Sequence, residues 1–106
     1  MSKYMFRASY TSAGAKGLLK DGGTARAKII DHLVQELGGE MESMYWGFGS
    51  DDVFIICTLP DDKTAAAVSM TVSASGAVAC TTVPLLTAAD VDEVARVSVA
   101  YRPPGS

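Results

Sequence analysis

The single histidine is the first residue to consider for chemistry. His32 is the only histidine in the chain. Projected at about 100° per residue, it lies roughly 130° from the middle of the apolar stripe of its helix, so we expect it to face water. No second histidine is available to complete a metal site, and no catalytic triad can be assembled around it. We therefore expect no metal ion and no cofactor.

Two adjacent carboxylates and two thiols complete the reactive groups of interest. Asp51 and Asp52 follow a glycine and a serine, a composition typical of turns. Neighbouring side chains of an extended chain point to opposite faces, which disfavours a paired-carboxylate site, so we expect both residues to anchor the turn. Cys57 and Cys80 lie in apolar runs without CxxC spacing, and this predicts buried, unpaired thiols.

Composition and charge exclude several classes of partner. Hydrophobic residues make up 48% of the 106 positions, enough for one domain with a packed core. The net charge is −3 and the nine Lys and Arg form no run, which disfavours nucleic-acid binding. No segment approaches the ~20 apolar residues of a membrane span. Arg7 interrupts the N-terminal apolar residues, so we expect no signal peptide and a cytoplasmic protein without membrane contact.

Two periodicities alternate along the chain and define its elements. Apolar and polar residues alternate with a period of two in strands and recur every three to four residues in helices. Thr24, Asp61 and Thr87 are the expected helix N-caps, the last with Asp90 in a capping box. The predicted strands are 3–10, 40–48, 53–59 and 77–83; the predicted helices are 12–20, 24–37, 61–75 and 87–98; the tail over 99–106 is extended.

This order of elements predicts a single α+β domain over residues 1–106. The first elements read βαββαβ, the ferredoxin-like order, with a four-stranded antiparallel sheet and helices on one face. Strands one and three should be central, because residues 53–59 are apolar on both faces. The other sheet face also needs cover. A homodimer packed sheet against sheet would supply it, and a C-terminal helix and tail folded over that face are the alternative.

The chain is similar to the GYD domain family over most of its length. The similarity is carried by residues 3–11, 14–19, 37–39, 46–49, 73–78 and 84–87. The family is named for a Gly-x-Tyr-Asp turn before the third strand, which here reads Gly49-Ser50-Asp51-Asp52, with Asp51 at the place of the tyrosine. The resemblance implies a small bacterial protein of the dimeric α/β-barrel type, without an established activity.

Three functions are compatible with these observations. The first is a homodimeric small-molecule binding or sensing module, with its cavity between sheet and helices. The second is a cofactor-independent enzyme, like the monooxygenases and isomerases of similar dimeric barrels, with Asp52 or His32 as general base. The third is a structural protein that forms higher homo-oligomers through its edge strands. The expected ligand-binding residues are Arg7, Tyr10, Tyr45, Trp46 and Asp52.

Overall fold

The computed structural model describes residues 1–106 and contains four strands and four helices. The strands are β1 (Ser2–Tyr10), β2 (Glu40–Trp46), β3 (Val53–Leu59) and β4 (Val78–Leu85). The helices are α1 (Ser12–Asp21), α2 (Gly23–Glu36), α3 (Asp62–Ala74) and α4 (Ala88–Val94).

The strands form one antiparallel sheet in the order β2-β3-β1-β4. This is the ferredoxin-like arrangement predicted from the sequence, with β1 and β3 in the centre. Tyr4 of β1 lies opposite Cys57 on one side and Pro84 on the other. Pro84 is tolerated because β4 is an edge strand, whose outer backbone groups need no sheet partner.

The core lies between the sheet and the helices that cover one of its faces. Along β1, buried residues alternate with partly buried ones, so the burial pattern follows the two-residue period of the strand. Tyr4, Cys57 and Leu59 are the most deeply buried side chains, and Ile30 and Val34 bring α2 into the same cluster. α2 packs on β2, and α3 packs on β4.

Polar side chains cap the N-termini of three of the four helices. Thr11 accepts a hydrogen bond from the Gly14 amide, and Asp61 accepts one from the Thr64 amide. Thr87 forms the predicted capping box with Asp90. Each cap satisfies an amide that would otherwise lack a partner in the first helical turn.

The cap predicted for α2 is wrong. Gly22 occupies the cap position with a φ of 84°, and its amide donates to the Leu18 carbonyl at the end of α1. Glycine reaches this backbone conformation without steric cost, so α1 and α2 are joined by one residue and Thr24 lies inside α2. α4 also ends at Val94, earlier than the expected 98.

The regular alternation predicted for the second strand is interrupted by a bulge. The pairing with β3 shifts between Met41 and Ser43, so one extra residue is accommodated there. Met41 therefore shares the helix-covered face with Met44 and Trp46, whereas simple alternation places Met41 on the opposite side. The strand ends at Trp46 rather than at Phe48.

The second face of the sheet is largely uncovered, and we call it the open face; only α4 approaches it, at the end formed by Lys3, Thr58 and Leu85. It is formed by the residues that alternate with the core positions. Met5 lies between Ile56 and Val83, and Arg7 lies opposite Phe54. The C-terminal tail does not bury its apolar side chains there, since Val99 and Tyr101 are 75% and 71% exposed. The open face includes Met5, Arg7, Tyr45, Phe54, Ile56 and Val83.

No helix of the structure combines the length and apolar character needed to cross a membrane.

Candidate functional site

An apolar cleft lies between the sheet and helices α2 and α3. Its enclosed volume is about 50 Å³, and fourteen of its fifteen lining residues are hydrophobic. Arg26 is the one exception. The lining residues are Phe6, Ala8, Tyr10, Arg26, Ile30, Leu33, Val34, Met44, Val53, Ile55, Leu59, Val68, Val72, Val78 and Cys80.

The cleft adjoins a surface groove between the two helices. This groove measures about 240 Å³, and Leu33, Val68 and Val72 line both spaces. β1 and β2 run opposite to β3 and β4, so α2, which joins the first two strands, is antiparallel to α3, which joins the last two. The groove therefore gives access from the surface to the apolar layer above the sheet.

One end of the cleft is defined by an aromatic pair. The Trp46 Nε1–H donates a hydrogen bond to the Tyr10 hydroxyl oxygen over 3.1 Å. The Trp46 ring also lies against the first turn of α2, where a methyl group added to Gly23 would contact it at 3.6 Å. A side chain at this position would make only an ordinary van der Waals contact with the ring. The aromatic pair thus lies beside the first turn of α2, one turn before Arg26.

Asp52 fastens the turn before β3 to the end of β1. Its carboxylate accepts a hydrogen bond from the Tyr10 amide at 2.8 Å, and its own amide donates to the Ala8 carbonyl at 2.8 Å. Ser9 adds a bond from its hydroxyl to the Ser50 carbonyl at 2.6 Å. The prediction that the turn aspartates act as backbone anchors is confirmed for Asp52.

Two of the expected ligand-binding residues lie on the open face. Tyr45 lies opposite Phe54 and is 70% exposed. The Arg7 Nη1 atom is 4.0 Å from Asp51 Oδ2, and the Arg7 Nε–H is buried without a hydrogen-bond partner. The structure thus brings Tyr10, Trp46 and Asp52 together near the cleft, and it places Arg7 and Tyr45 on the other side of the sheet.

The thiols have little nucleophilic character. Burial raises the pKa of the Cys57 thiol to about 11. Burial also raises the pKa of Cys80, which lines the cleft, although a hydrogen bond with Ser69 acts in the opposite direction. Both groups are therefore protonated at neutral pH. β1 separates the two cysteine-bearing strands, so the expectation of unpaired thiols is confirmed.

Sequence reasoning missed Arg26 as a site residue. It is one of nine scattered cations, and nothing local distinguishes it from Lys28 on the same helix. Its place at the cleft depends on how α2 packs over the sheet, which is a tertiary property. His32, in contrast, is largely exposed as predicted and pairs with Glu36 one turn later.

A family model described as GYD domain matches residues 4–95. The chain belongs to the GYD domain family. The match covers β1 from Tyr4 onwards, the other three strands and all four helices, and the function of this family is uncharacterised. Within this GYD domain, Asp52 closes the turn for which the family is named. No match was found among curated proteins or among solved structures.

Proposed function

We propose that this GYD domain is a small-molecule binding module whose ligand occupies the cleft between the sheet and helices α2 and α3. The observation that carries the proposal is the lining of the cleft, fourteen hydrophobic residues with a single charged one. Ligand sites are typically apolar concavities with a few polar groups that orient the ligand. The cleft has that composition and lies in the layer expected from the fold.

The size of the cleft requires the ligand to use the groove as well. Typical ligand pockets measure roughly 300–1,000 Å³. The enclosed cleft holds about 50 Å³, whereas the adjoining groove offers about 240 Å³. Because α2 and α3 rest on different strands, β2 and β4, a small outward movement of either helix would enlarge the cleft without breaking the sheet. We expect a small ligand of about ten to twenty heavy atoms that extends from the cleft into the groove.

Binding is favoured over catalysis by the groups available in the cleft. None of the residues that line the cleft is a carboxylate or a histidine, and the one carboxylate of the adjoining groove, Glu36, is largely exposed and contacts His32. The side chain of Asp52 is already engaged by the Tyr10 amide. The enzymatic alternative therefore has no specific observation in its favour.

The proposal also includes a homodimer formed through the open face. Met5, Ile56 and Val83 form an apolar row across three strands, and Phe54 and Tyr45 extend the apolar surface in the next row. Half-buried apolar rows on an uncovered sheet face are typical of surfaces that pack against another copy. A cytoplasmic setting is part of the same proposal.

Binding can be tested with a neutral fluorescent probe, N-phenyl-1-naphthylamine. We expect saturable fluorescence enhancement with the full chain and its loss in Val68→Phe, because Val68 lines both cleft and groove. Val94→Phe is the matched control, since Val94 is 54% exposed on α4 and lines neither space. Circular dichroism verifies that both variants are folded. Absence of enhancement, or equal enhancement in Val68→Phe, would overturn the proposal.

A further inference from the structure

Arg26 is a cation without a partner at the edge of an apolar cleft. The chain has two ion pairs between charged side chains, Lys3–Glu42 and Arg7–Asp51, and His32 contacts Glu36; none of these includes Arg26. The side chain is only partly exposed and is the one charged group among the fifteen lining residues. A guanidinium in this position offers several hydrogen-bond donors and no acceptor.

The Tyr10 hydroxyl provides a second unused donor in the same cleft. Its oxygen accepts the hydrogen bond from Trp46 Nε1, which leaves the hydroxyl hydrogen without an acceptor in the chain. Tyr10 and Arg26 both line the cleft. They also lie at the same end of it, because Trp46 is hydrogen-bonded to Tyr10 and lies beside Gly23 in the first turn of α2, three residues before Arg26.

Two donors and an apolar lining define the chemistry of a complementary ligand. We infer that the cleft binds a small apolar monocarboxylate, whose carboxylate accepts hydrogen bonds from Arg26 and Tyr10. Its hydrocarbon part lies against Ile30, Val72 and Val78. This inference rests on the proposed binding function and names the ligand class for the same cleft.

A carboxylate fits better than other polar groups. It accepts hydrogen bonds only, which matches an arginine and a phenol that have donors to offer, and the charge-assisted bond to a guanidinium is among the stronger ones. An ammonium would bring a like charge to Arg26. An alcohol would satisfy the donors without compensating the charge. A dicarboxylate would bury a second anion among hydrophobic residues that cannot pair with it.

A series of three compounds with the same hydrocarbon tests this ligand class. Binding of 4-phenylbutanoate, 4-phenylbutan-1-ol and 4-phenylbutylamine to the full chain is measured by titration in two-dimensional NMR. We expect the carboxylate to bind about tenfold more tightly than the alcohol, and the amine to bind most weakly. Chemical-shift changes for the carboxylate should map to the cleft end that contains Tyr10 and Val78.

Variants of Arg26 and Tyr10 test whether these two donors cause the preference for the carboxylate. Arg26→Gln should weaken 4-phenylbutanoate binding about tenfold and 4-phenylbutan-1-ol binding much less, because only the carboxylate loses a charge-assisted bond. Arg26→Lys should restore part of the difference. Tyr10→Phe should weaken 4-phenylbutanoate binding by less than Arg26→Gln does, and it should affect the carboxylate more than the alcohol. Lys28→Gln is the control, since it removes the same charge from an exposed position on the same helix that does not line the cleft.

The outcomes separate this inference from the function on which it rests. If the alcohol binds in the cleft as tightly as the carboxylate, or if Arg26→Gln matches Lys28→Gln, the ligand class is wrong and the binding function stands. If none of the three compounds binds and the naphthylamine probe is insensitive to Val68→Phe, the binding function itself is wrong.

Discussion

The Tyr4 hydroxyl donates a hydrogen bond to Asp62 Oδ1 over 2.5 Å, and this bond joins the central strand β1 to the first turn of α3. Tyr4 is almost completely buried, yet its phenol reaches the edge of the core. The pKa of Tyr4 is raised, first by this hydrogen bond to Asp62 and then by burial. A buried ring with a bonded hydroxyl both fills the core and fixes the position of α3.

Removal of this hydroxyl should weaken the attachment of α3 to β1 without creating a cavity in the core. We expect Tyr4→Phe to lower the melting temperature by a few degrees, and to have a much smaller effect in an Asp62→Ala background, because the bond is already lost there. Thermal unfolding of the four proteins in this cycle measures the coupling. Additive effects of the two substitutions would show that the bond contributes nothing to stability.

Two glycines of α1 should respond in opposite directions to the same substitution. A Cβ added at Gly14 would come within 2.0 Å of the Ala77 carbonyl oxygen, so Gly14→Ala must displace backbone and should cost about 1–3 kcal/mol. Gly17 has nothing within 4 Å of that position, so Gly17→Ala should stabilise the chain by about 0.5–1 kcal/mol through its better helix propensity. Urea unfolding measures both, and destabilisation by Gly17→Ala would contradict the packing described for α1.

Association through the open face should be sensitive to one central residue. Ile56 lies in the middle of the apolar row, opposite Met5, so Ile56→Asp would place a charge at the centre of the interface. We expect sedimentation equilibrium to give the dimer mass for the unmodified chain and the monomer mass for Ile56→Asp. Ile29→Asp is the control, since Ile29 is 52% exposed on α2. A monomer mass for the unmodified chain at about 100 µM would refute the dimer.

The buried Cys57 thiol should make stability fall at alkaline pH. Its pKa rises from an ordinary value of 9.0 to about 11 in the folded chain. A raised folded-state pKa favours the folded chain below pH 9, and this contribution is lost as the pH rises from about 9 towards 11. The difference in unfolding free energy between the unmodified chain and Cys57→Ala should therefore narrow over that interval. Urea titrations at several pH values measure it, and a constant difference would contradict the burial effect.

Reaction with a thiol reagent gives an independent measure of the same burial. Cys57 is completely buried and Cys80 is partly exposed. In Cys80→Ala, the remaining Cys57 should react only when the chain opens, roughly tenfold or more slowly than Cys80 reacts in Cys57→Ala.

Local sequence patterns predicted most of the fold, because strand faces and helix caps depend on interactions between residues that are close in sequence. The alternation in β1 follows from its two faces, and the caps at Asp61 and Thr87 follow from the need of exposed helix amides for acceptors. The bulge after Met41 was not predictable from alternation, because it arises from pairing with β3. The start of α2 was missed for a similar reason, since the backbone geometry of Gly22 replaces a side-chain cap.

The candidate site was only partly predictable. Their aromatic side chains indicated Tyr10 and Trp46 as walls of a cavity, and the structure joins the two by a hydrogen bond. Arg7 and Tyr45 were grouped with them because the sequence shows that a residue lies in a strand but does not show which sheet face a ligand would use. Arg26 gave no local signal, because its significance comes from the lack of a partner after folding.

The strand order has a consequence for how the chain folds while it is being synthesised. β1 is made first, yet its two neighbours in the sheet, β3 and β4, begin only at Val53 and Val78. β2 and β3 are the only strands that are neighbours both in sequence and in the sheet, so their hairpin can form from nearby residues alone. Until β4 has left the ribosome, the nascent chain exposes an unpaired apolar strand edge, and its folding should be slower than that of a helical domain of equal length.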